Sequence, residues 1–220
     1  MSDAAQRLRD LVDLDVVVDE MYDQNCYILH RRDTDQCLVV DPGLQHRRTL
    51  AVLEDRGLRC HRILLTHGHP DHVNGVPAVR AAHGCDAAIH PDDREILAFV
   101  RMLPGIPADQ PEVVCDVDLV PGESFTWQGL AISILHTPGH TRGSVCFLVG
   151  PELIAGDTLF QRSVGRTDLP GGDWATLMFS IENTLYALPP ETVVRPGHGP
   201  STTIGEEMLY NPFVVHPRYR

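Results

Sequence analysis

The chain has 220 residues, 43% of them hydrophobic and 22% charged, which is typical of a globular protein with a sizeable core. Its formal net charge of −12 argues against nucleic acid as the main partner, because phosphate binding needs a basic surface. No apolar run approaches the length of a membrane span, so we expect no membrane partner. The length predicts a single domain over residues 1–220.

The cysteine and lysine content indicates the cellular compartment and excludes some classes of catalytic chemistry. Six cysteines occur singly without a CxxC pair, and the first 15 residues lack the apolar segment of a secretory signal. We therefore expect buried thiols in a reducing compartment, the cytoplasm. The sequence contains no lysine, which excludes Schiff-base chemistry and a lysine base.

In the first third of the chain, the hydrophobic pattern predicts a short helix over residues 1–14 and then strands divided by polar turns. These strands are predicted at residues 16–18, 26–29, 37–40 and 63–65. Helices are predicted at residues 49–56, ended by Gly57, and at residues 73–83. The strand at 37–40 ends in the turn signal Asp41-Pro42-Gly43.

The remaining chain again mixes strands with helices. Strands are predicted at residues 87–90, 117–120, 124–127, 131–135, 144–149, 153–154 and 193–194. Helices are predicted at residues 91–102, 174–188 and 203–209, with Asp173 as the N-cap of the second, and residues 103–112 are predicted as a loop. Many strands follow one another through short turns, which favours two β-sheets packed face to face over a doubly wound parallel sheet.

The most informative stretch runs from Thr66 to His72 and reads THGHPDH. It lies between a predicted strand and a predicted helix. His67 and His69 are two residues apart in an extended turn, so both side chains can point to the same side. Asp71 and His72 follow at the helix start. Such a cluster has no packing rationale, because burying it unpaired would be costly, and it suits two adjacent metal ions better than one.

Three later motifs each place a metal-binding side chain in a turn bounded by Gly or Pro, just after an apolar run. They are HTPGH at residues 136–140, GDT at residues 156–158 and PGHG at residues 196–199. With the first stretch they supply five histidines and two aspartates at strand ends. The set as a whole predicts a metal centre.

In this order, the four motifs resemble those of the metallo-β-lactamase superfamily. Residues 25–28, 40–43, 156–160 and 165–166 resemble its glyoxalase II (hydroxyacylglutathione hydrolase) branch, and residues 203–213 resemble the short bacterial members without the C-terminal helical domain. The resemblance implies an α/β fold, the four-layer αββα sandwich.

The resemblance also implies a ligand set for two divalent metal ions. His67, His69 and His140 would hold the first ion, Asp71, His72 and His198 the second, and Asp157 would bridge them. Asp71 and Asp157 would be the catalytic residues. The nitrogen and oxygen donors suit Zn, and equally Fe or Mn.

Two residues outside the ligand set have two readings each. Asp41 is either the acceptor for the ring N–H of a ligating histidine or an ordinary turn residue. Arg166 either grips a substrate carboxylate, as a basic residue does in the glyoxalase II branch, or forms a local salt bridge with Asp168.

The resemblance implies a metal-dependent hydrolase that cleaves a small-molecule thioester, such as S-lactoylglutathione, by means of a water activated between two ions. Asp168 replaces a tyrosine of the branch, and only 22 residues follow His198, so specificity for glutathione is left open. A β-lactamase is not expected, since lactamases of the superfamily commonly carry cysteine at the position of Asp157.

Several alternatives remain. A persulfide dioxygenase would use one iron on His67, His140 and Asp157, and a lactone hydrolase would use the same two-ion centre. A protein that binds metal without catalysis is the third alternative. Monomer and homodimer are both compatible with the sequence.

Overall fold

The computed structural model describes residues 12–102 and 110–214. These residues fall into two compact units. The first contains residues 12–89, 94–102 and 110–118, and the second contains residues 90–93 and 119–214. Each unit has its own six-stranded sheet, so the predicted class, mixed α/β with two sheets, is observed. The prediction of a single domain over residues 1–220 stays a prediction.

The first sheet contains its six strands in chain order. Strands β1 to β3 pair antiparallel, and β3 to β6 pair parallel. The strands are β1 (Val12–Val18), β2 (Asn25–Arg31), β3 (Gln36–Val40), β4 (Arg59–Leu64), β5 (Asp86–Ile89) and β6 (Val117–Asp118). The carboxyl ends of β3 and β4 therefore lie at the same edge of the sheet, where Asp41 and the THGHPDH stretch follow them.

Helices provide the crossovers that parallel strands require. They are α1 (His46–Asp55), α2 (Pro70–Val73), α3 (Val76–His83) and a 3₁₀ helix (Pro91–Met102). Helix α1 buries Leu53, and α3 buries Val76 and Val79 in the same core as Val39 and Ile63 of the sheet. The described residues contain no helix long and apolar enough to cross a membrane.

All six cysteines are buried, as expected, and none of them forms a disulfide bond. Burial raises the pKa of the Cys26 thiol to about 12 and that of Cys115 to about 11. These thiols are therefore protonated at neutral pH and behave as small hydrophobic side chains.

The sheet of the second unit has the order β14-β13-β10-β9-β8-β7, and only β10 and β13 pair parallel within it. A separate hairpin is formed by β11 and β12. The strands are β7 (Ser124–Trp127), β8 (Leu130–His136), β9 (Val145–Val149), β10 (Glu152–Gly156), β11 (Leu159–Phe160), β12 (Ser163–Val164), β13 (Val193–Pro196) and β14 (Thr202–Thr203).

Two helical segments cover this sheet's apolar residues. Helix α4 (Trp174–Ser180) continues into a π-helical turn (Ile181–Leu185), and α5 (Ile204–Tyr210) follows β14. The carboxylate of Asp173 accepts a 2.7 Å hydrogen bond from the backbone N–H of Thr176, which confirms the predicted N-cap of α4. Leu177, Ile181 and Leu185 are fully buried in the core of this unit.

The structure corrects several element predictions. Residues 12–14, predicted as helix, belong to β1, where pairing with β2 overrides a weak helical stripe, and residues 1–11 lie outside the described residues. The predicted helix 73–83 starts earlier and is interrupted at residues 74–75, and residues 91–102 are 3₁₀ rather than α. The predicted loop 103–112 lies mostly outside the described residues. The strands β11, β12 and β14 were too short to predict.

A buried carboxylate holds the C-terminal helix of the second unit in place. Glu207, with no exposed surface, accepts hydrogen bonds from the backbone N–H of Arg162 (2.9 Å), the hydroxyl of Thr202 (2.6 Å) and the amide of Asn211 (2.8 Å). Three different segments of the chain thus meet at one side chain.

We expect Glu207→Ala to lower the free energy of unfolding by about 3 kcal/mol, because three donors would lose the buried carboxylate that accepts their hydrogen bonds. Urea denaturation followed by circular dichroism measures this change. Glu191→Ala, which removes an exposed carboxylate just before β13, is the control and should cost less than about 1 kcal/mol. Equal losses in the two variants would show that the buried network contributes nothing special.

Candidate metal centre

The THGHPDH stretch lies at the turn between β4 and α2, as predicted. His69 is the extended residue before α2, Pro70 opens the helix, and Asp71 lies in its first turn. The ring centroids of His67 and His69 are 4.8 Å apart, and those of His67 and His72 are 4.2 Å apart. Local chain geometry alone therefore gathers the three imidazoles of this motif.

Asp41 lies beneath these imidazoles and accepts three hydrogen bonds. The backbone N–H of Thr66 donates to Oδ1 at 2.8 Å. The Thr66 hydroxyl and Nδ1 of His72 both donate to Oδ2, at 2.6 and 3.0 Å. Asp41 is 1% exposed, so these contacts replace its hydration. Of its two readings from the sequence, the structure shows the first: Asp41 accepts the ring N–H of His72.

The hydrogen bonds around Asp41 determine which nitrogen of each ring carries the proton. His72 donates from Nδ1 to a carboxylate, which leaves a lone pair on Nε2 of the neutral ring. The Thr66 hydroxyl donates its proton to Asp41. Its oxygen, 3.0 Å from Nδ1 of His67, therefore accepts a hydrogen bond from that nitrogen. Both rings therefore present Nε2 as an electron-pair donor, the form in which histidine binds a metal.

The backbone at Asp41 is specialised as well. Asp41 has φ of 51°, a left-handed conformation that is uncommon for residues other than glycine. The side-chain amide of Gln24 donates to its carbonyl oxygen at 3.1 Å. At Gly43 a Cβ atom would lie 2.1 Å from the carbonyl oxygen of Asp71, so only glycine lets the two turns approach. Strained backbone held in place by its neighbours is typical of functional sites.

The second unit brings together the other three predicted ligands, with His140 and His198 both close to Asp157. Its Oδ2 atom lies 3.5 Å from Nε2 of His140 and 3.5 Å from Nε2 of His198. Asp157 follows β10 and His198 follows β13, and the two strands are parallel neighbours. Their carboxyl ends therefore deliver both side chains to the same edge of the sheet.

A separation of 3.5 Å is long for a hydrogen bond but fits two ligands of one ion. Zinc–nitrogen and zinc–oxygen bonds of about 2.1 Å at tetrahedral angles place two donor atoms roughly 3.4 Å apart. In the first unit, Nε2 of His72 and Oδ2 of Asp71 are 3.8 Å apart, again too far for a hydrogen bond. Each of these three donor pairs thus fits two ligands of one divalent ion in both chemistry and spacing.

His140 is oriented by a backbone group. Its Nδ1 lies 2.7 Å from the carbonyl oxygen of Arg166, which can only accept, so Nδ1 carries the proton and Nε2 faces Asp157. The segment that contains Arg166 also passes close to Asp157. This approach requires glycine at residue 165, because a Cβ there would lie 1.8 Å from the carbonyl oxygen of Asp157. Sequence analysis missed this use of the Arg166 carbonyl, because every residue carries one.

The loop that contains His140 is fixed by a second buried carboxylate. Asp93, which is fully buried, accepts from the Thr141 hydroxyl and from the backbone N–H of Gly143, both at 2.7 Å. These bonds hold the residues that immediately follow His140. Sequence analysis did not identify Asp93, or Thr66 as the side chain that links His67 to Asp41. Only Thr66 could have been found from the sequence, because it lies in the THGHPDH motif.

The Arg166 guanidinium is engaged with its neighbour. It donates from Nε and Nη2 to the two carboxylate oxygens of Asp168 at 2.7 and 2.8 Å. These hydrogen bonds lower the pKa of Asp168 to about 2. Both side chains are exposed, so the pair adds little to stability. The salt bridge considered in the sequence analysis is present, and a role for Arg166 in substrate binding remains a proposal.

We expect Asp41→Asn to weaken metal binding by about 10- to 100-fold, because an amide cannot accept all three of the hydrogen bonds that orient Thr66 and His72. Competition with a chromogenic zinc chelator measures the affinity without an activity assay. Asp33→Asn, at an exposed turn, is the control and should bind as the wild type does. Wild-type affinity in Asp41→Asn would show that the carboxylate is not needed to orient His72.

Comparison with known proteins identifies the family of this chain. The family model of the metallo-β-lactamase superfamily matches residues 21–198. The protein ML0493 of Mycobacterium leprae is 40% identical over 86% of this chain and 93% of its own length. The hydroxyacylglutathione hydrolase GloC of Haemophilus influenzae is 32% identical over 92% of this chain and 98% of its own length.

Solved structures agree with the sequence relatives. BLEG-1, a B3 metallo-β-lactamase, superposes with a TM-score of 0.84 at 36% identity and covers 92% of this chain and 99% of its own. TTHA1623 in a di-iron-bound form has a TM-score of 0.79 at 35% identity and covers 91% of this chain and 100% of its own. The predicted metallo-β-lactamase fold is thus confirmed, and the chain belongs to the metallo-β-lactamase superfamily, whose members are generally metal-dependent hydrolases.

Proposed function

We propose that this protein is a metal-dependent hydrolase that cleaves a 2-hydroxyacyl thioester such as S-lactoylglutathione. The observation that carries the proposal is the spacing of three donor pairs, His72–Asp71, His140–Asp157 and His198–Asp157, each of which fits two ligands of one divalent ion. The relative from Haemophilus influenzae, named a hydroxyacylglutathione hydrolase, supports the thioester. The di-iron-bound relative supports two ions.

In this proposal the ligands divide as the resemblance implied. His67, His69 and His140 would hold one ion, and Asp71, His72 and His198 would hold the other. Asp157 would be a ligand of both, since its Oδ2 atom is equally distant from Nε2 of His140 and of His198. Divalent ions held by these residues would supply Lewis acidity and a water acidic enough to ionise near neutral pH.

The protein's own side chains supply orientation. Asp41 and Thr66 hold two imidazoles with Nε2 as the ligand atom, and the Arg166 carbonyl does the same for His140. No lysine is present as a general acid. A thioester suits this chemistry, because a thiolate leaves without needing a strong general acid.

The direct test combines elemental analysis of the purified protein with a substrate panel. The panel contains S-lactoylglutathione, the uncharged thioester S-lactoyl-N-acetylcysteamine, a homoserine lactone, a chromogenic cephalosporin, and glutathione persulfide with oxygen uptake. We expect two ions per chain and the highest kcat/KM with a thioester. One iron per chain with oxygen uptake, or faster cleavage of the lactone or the cephalosporin, would contradict the proposal.

Asp157→Ala should lose metal and thioesterase activity together, because it removes the ligand that both ions share in this proposal. Mass spectrometry of bound metals and the thioesterase assay measure the two properties on one preparation. Asp86→Ala, which removes an exposed carboxylate at the start of β5, is the control and should keep both. Full turnover by an Asp157→Ala protein without metal would refute the bridging role.

Arg166→Ala should raise KM for S-lactoylglutathione more than it lowers kcat, if the guanidinium binds a substrate carboxylate. Asp168→Asn is the matched variant, since it weakens the ion pair but keeps the guanidinium. We expect it to leave KM unchanged or to lower it. An Arg166→Ala enzyme with an unchanged KM would assign Arg166 to the salt bridge alone.

A further inference from the structure

A cavity of about 320 Å³ lies in the second unit beside the loop that carries His140. It is lined by Pro138, Gly139 and Arg142 of that loop and by residues 171–173 and Thr176 around the start of α4. The backbone N–H of Asp173 donates to the carbonyl oxygen of Gly139 at 2.8 Å, so the two segments are in direct contact. The loop and the start of α4 thus form a preformed recess next to a proposed metal ligand.

Two opposite charges line this recess. Arg142 and Asp173 are both exposed, and among residues 12–102 and 110–214 neither forms an ion pair with the other or with any third residue. Hydrogen bonds from Thr176 lower the pKa of Asp173, so its carboxylate is charged at neutral pH. The guanidinium is charged at any physiological pH. Within the described residues, the recess therefore holds a cation and an anion that do not neutralise each other.

The charges select the class of ligand. A simple anion would be attracted by Arg142 and repelled by Asp173, and a simple cation the reverse. A group with both a carboxylate and an ammonium can pair with Arg142 and Asp173 at the same time. The guanidinium can bind the carboxylate through two parallel hydrogen bonds. Gly171 lies beside the arginine stem, since a Cβ there would be 3.8 Å from Cγ of Arg142, so Arg142 and residues 171–173 border the same part of the recess.

The size and position of the recess indicate which ligand contains this zwitterionic group. At about 320 Å³ it is at the lower end of ligand pockets, large enough for one end of a ligand rather than the whole. Gly139, in its wall, immediately precedes His140. We propose that this recess binds the zwitterionic amino-acid end of the thiol carrier, with Arg142 on the carboxylate and Asp173 on the ammonium. The inference rests on the proposed thioesterase function.

Substrate pairs test the proposal. S-lactoylglutathione carries the zwitterionic end, its N-acetyl derivative lacks the ammonium, and S-lactoyl-N-acetylcysteamine lacks both charges. Arg142→Gln should lower the ratio of kcat/KM for S-lactoylglutathione to that for S-lactoyl-N-acetylcysteamine by about tenfold, chiefly through KM. Asp173→Asn keeps a good N-cap for α4 and should lower the ratio for S-lactoylglutathione to its N-acetyl derivative by about fivefold.

The control is Arg59→Gln, which removes an exposed arginine at the start of β4. It should keep both wild-type ratios. Arg142→Gln and Asp173→Asn enzymes with the same two ratios as Arg59→Gln would overturn the assignment of the recess, even if thioester cleavage itself were confirmed.

A binding measurement separates failure of the subsite from failure of the proposed function. If the wild type cleaved no thioester, the proposed function would fall, and calorimetric titration with glutathione and with free glutamate would still test the recess. Binding of either compound that Arg142→Gln weakens about tenfold would support a zwitterion site, and the comparison would tell a thiol carrier from a free amino acid. Absent binding, or equal binding by the variant, would overturn it.

Discussion

The Nδ1–H groups of three buried imidazoles are the constraint on which the site depends. His67, His72 and His140 are each no more than 2% exposed. Each donates Nδ1–H to an oxygen that can act only as an acceptor towards the ring. Neutral rings held in this way must present Nε2 as an electron-pair donor. The protein therefore fixes the direction of its ligand atoms before any ion binds, which reduces the reorganisation that binding costs.

This arrangement follows from the sheets. Asp41 comes after β3 and His67 after β4, which are parallel neighbours, and Asp157 and His198 follow the parallel neighbours β10 and β13. Side chains at the carboxyl ends of adjacent parallel strands meet at one edge. The close approach also depends on glycine, as at Gly165, where any Cβ would collide with the carbonyl oxygen of Asp157.

The sequence predicted those site residues whose proximity depends on local spacing or on their place at strand ends. The THGHPDH stretch lies in a single turn, so the proximity of His67, His69 and His72 required no knowledge of the fold. Tertiary acceptors were harder to predict. The Arg166 carbonyl has no sequence signal, because every residue carries this group. Asp93 is distant along the chain from the loop it fixes. The two-residue strands β11 and β12 are too short for any period to show.

Side-chain nitrogen NMR of the ¹⁵N-histidine-labelled, zinc-loaded protein tests the central claim most directly, because it reports which ring nitrogen carries a proton and which binds metal. We predict Nδ1–H with metal-bound Nε2 for His67, His72 and His140. A proton on Nε2 of these rings, or metal bound through Nδ1, would contradict it.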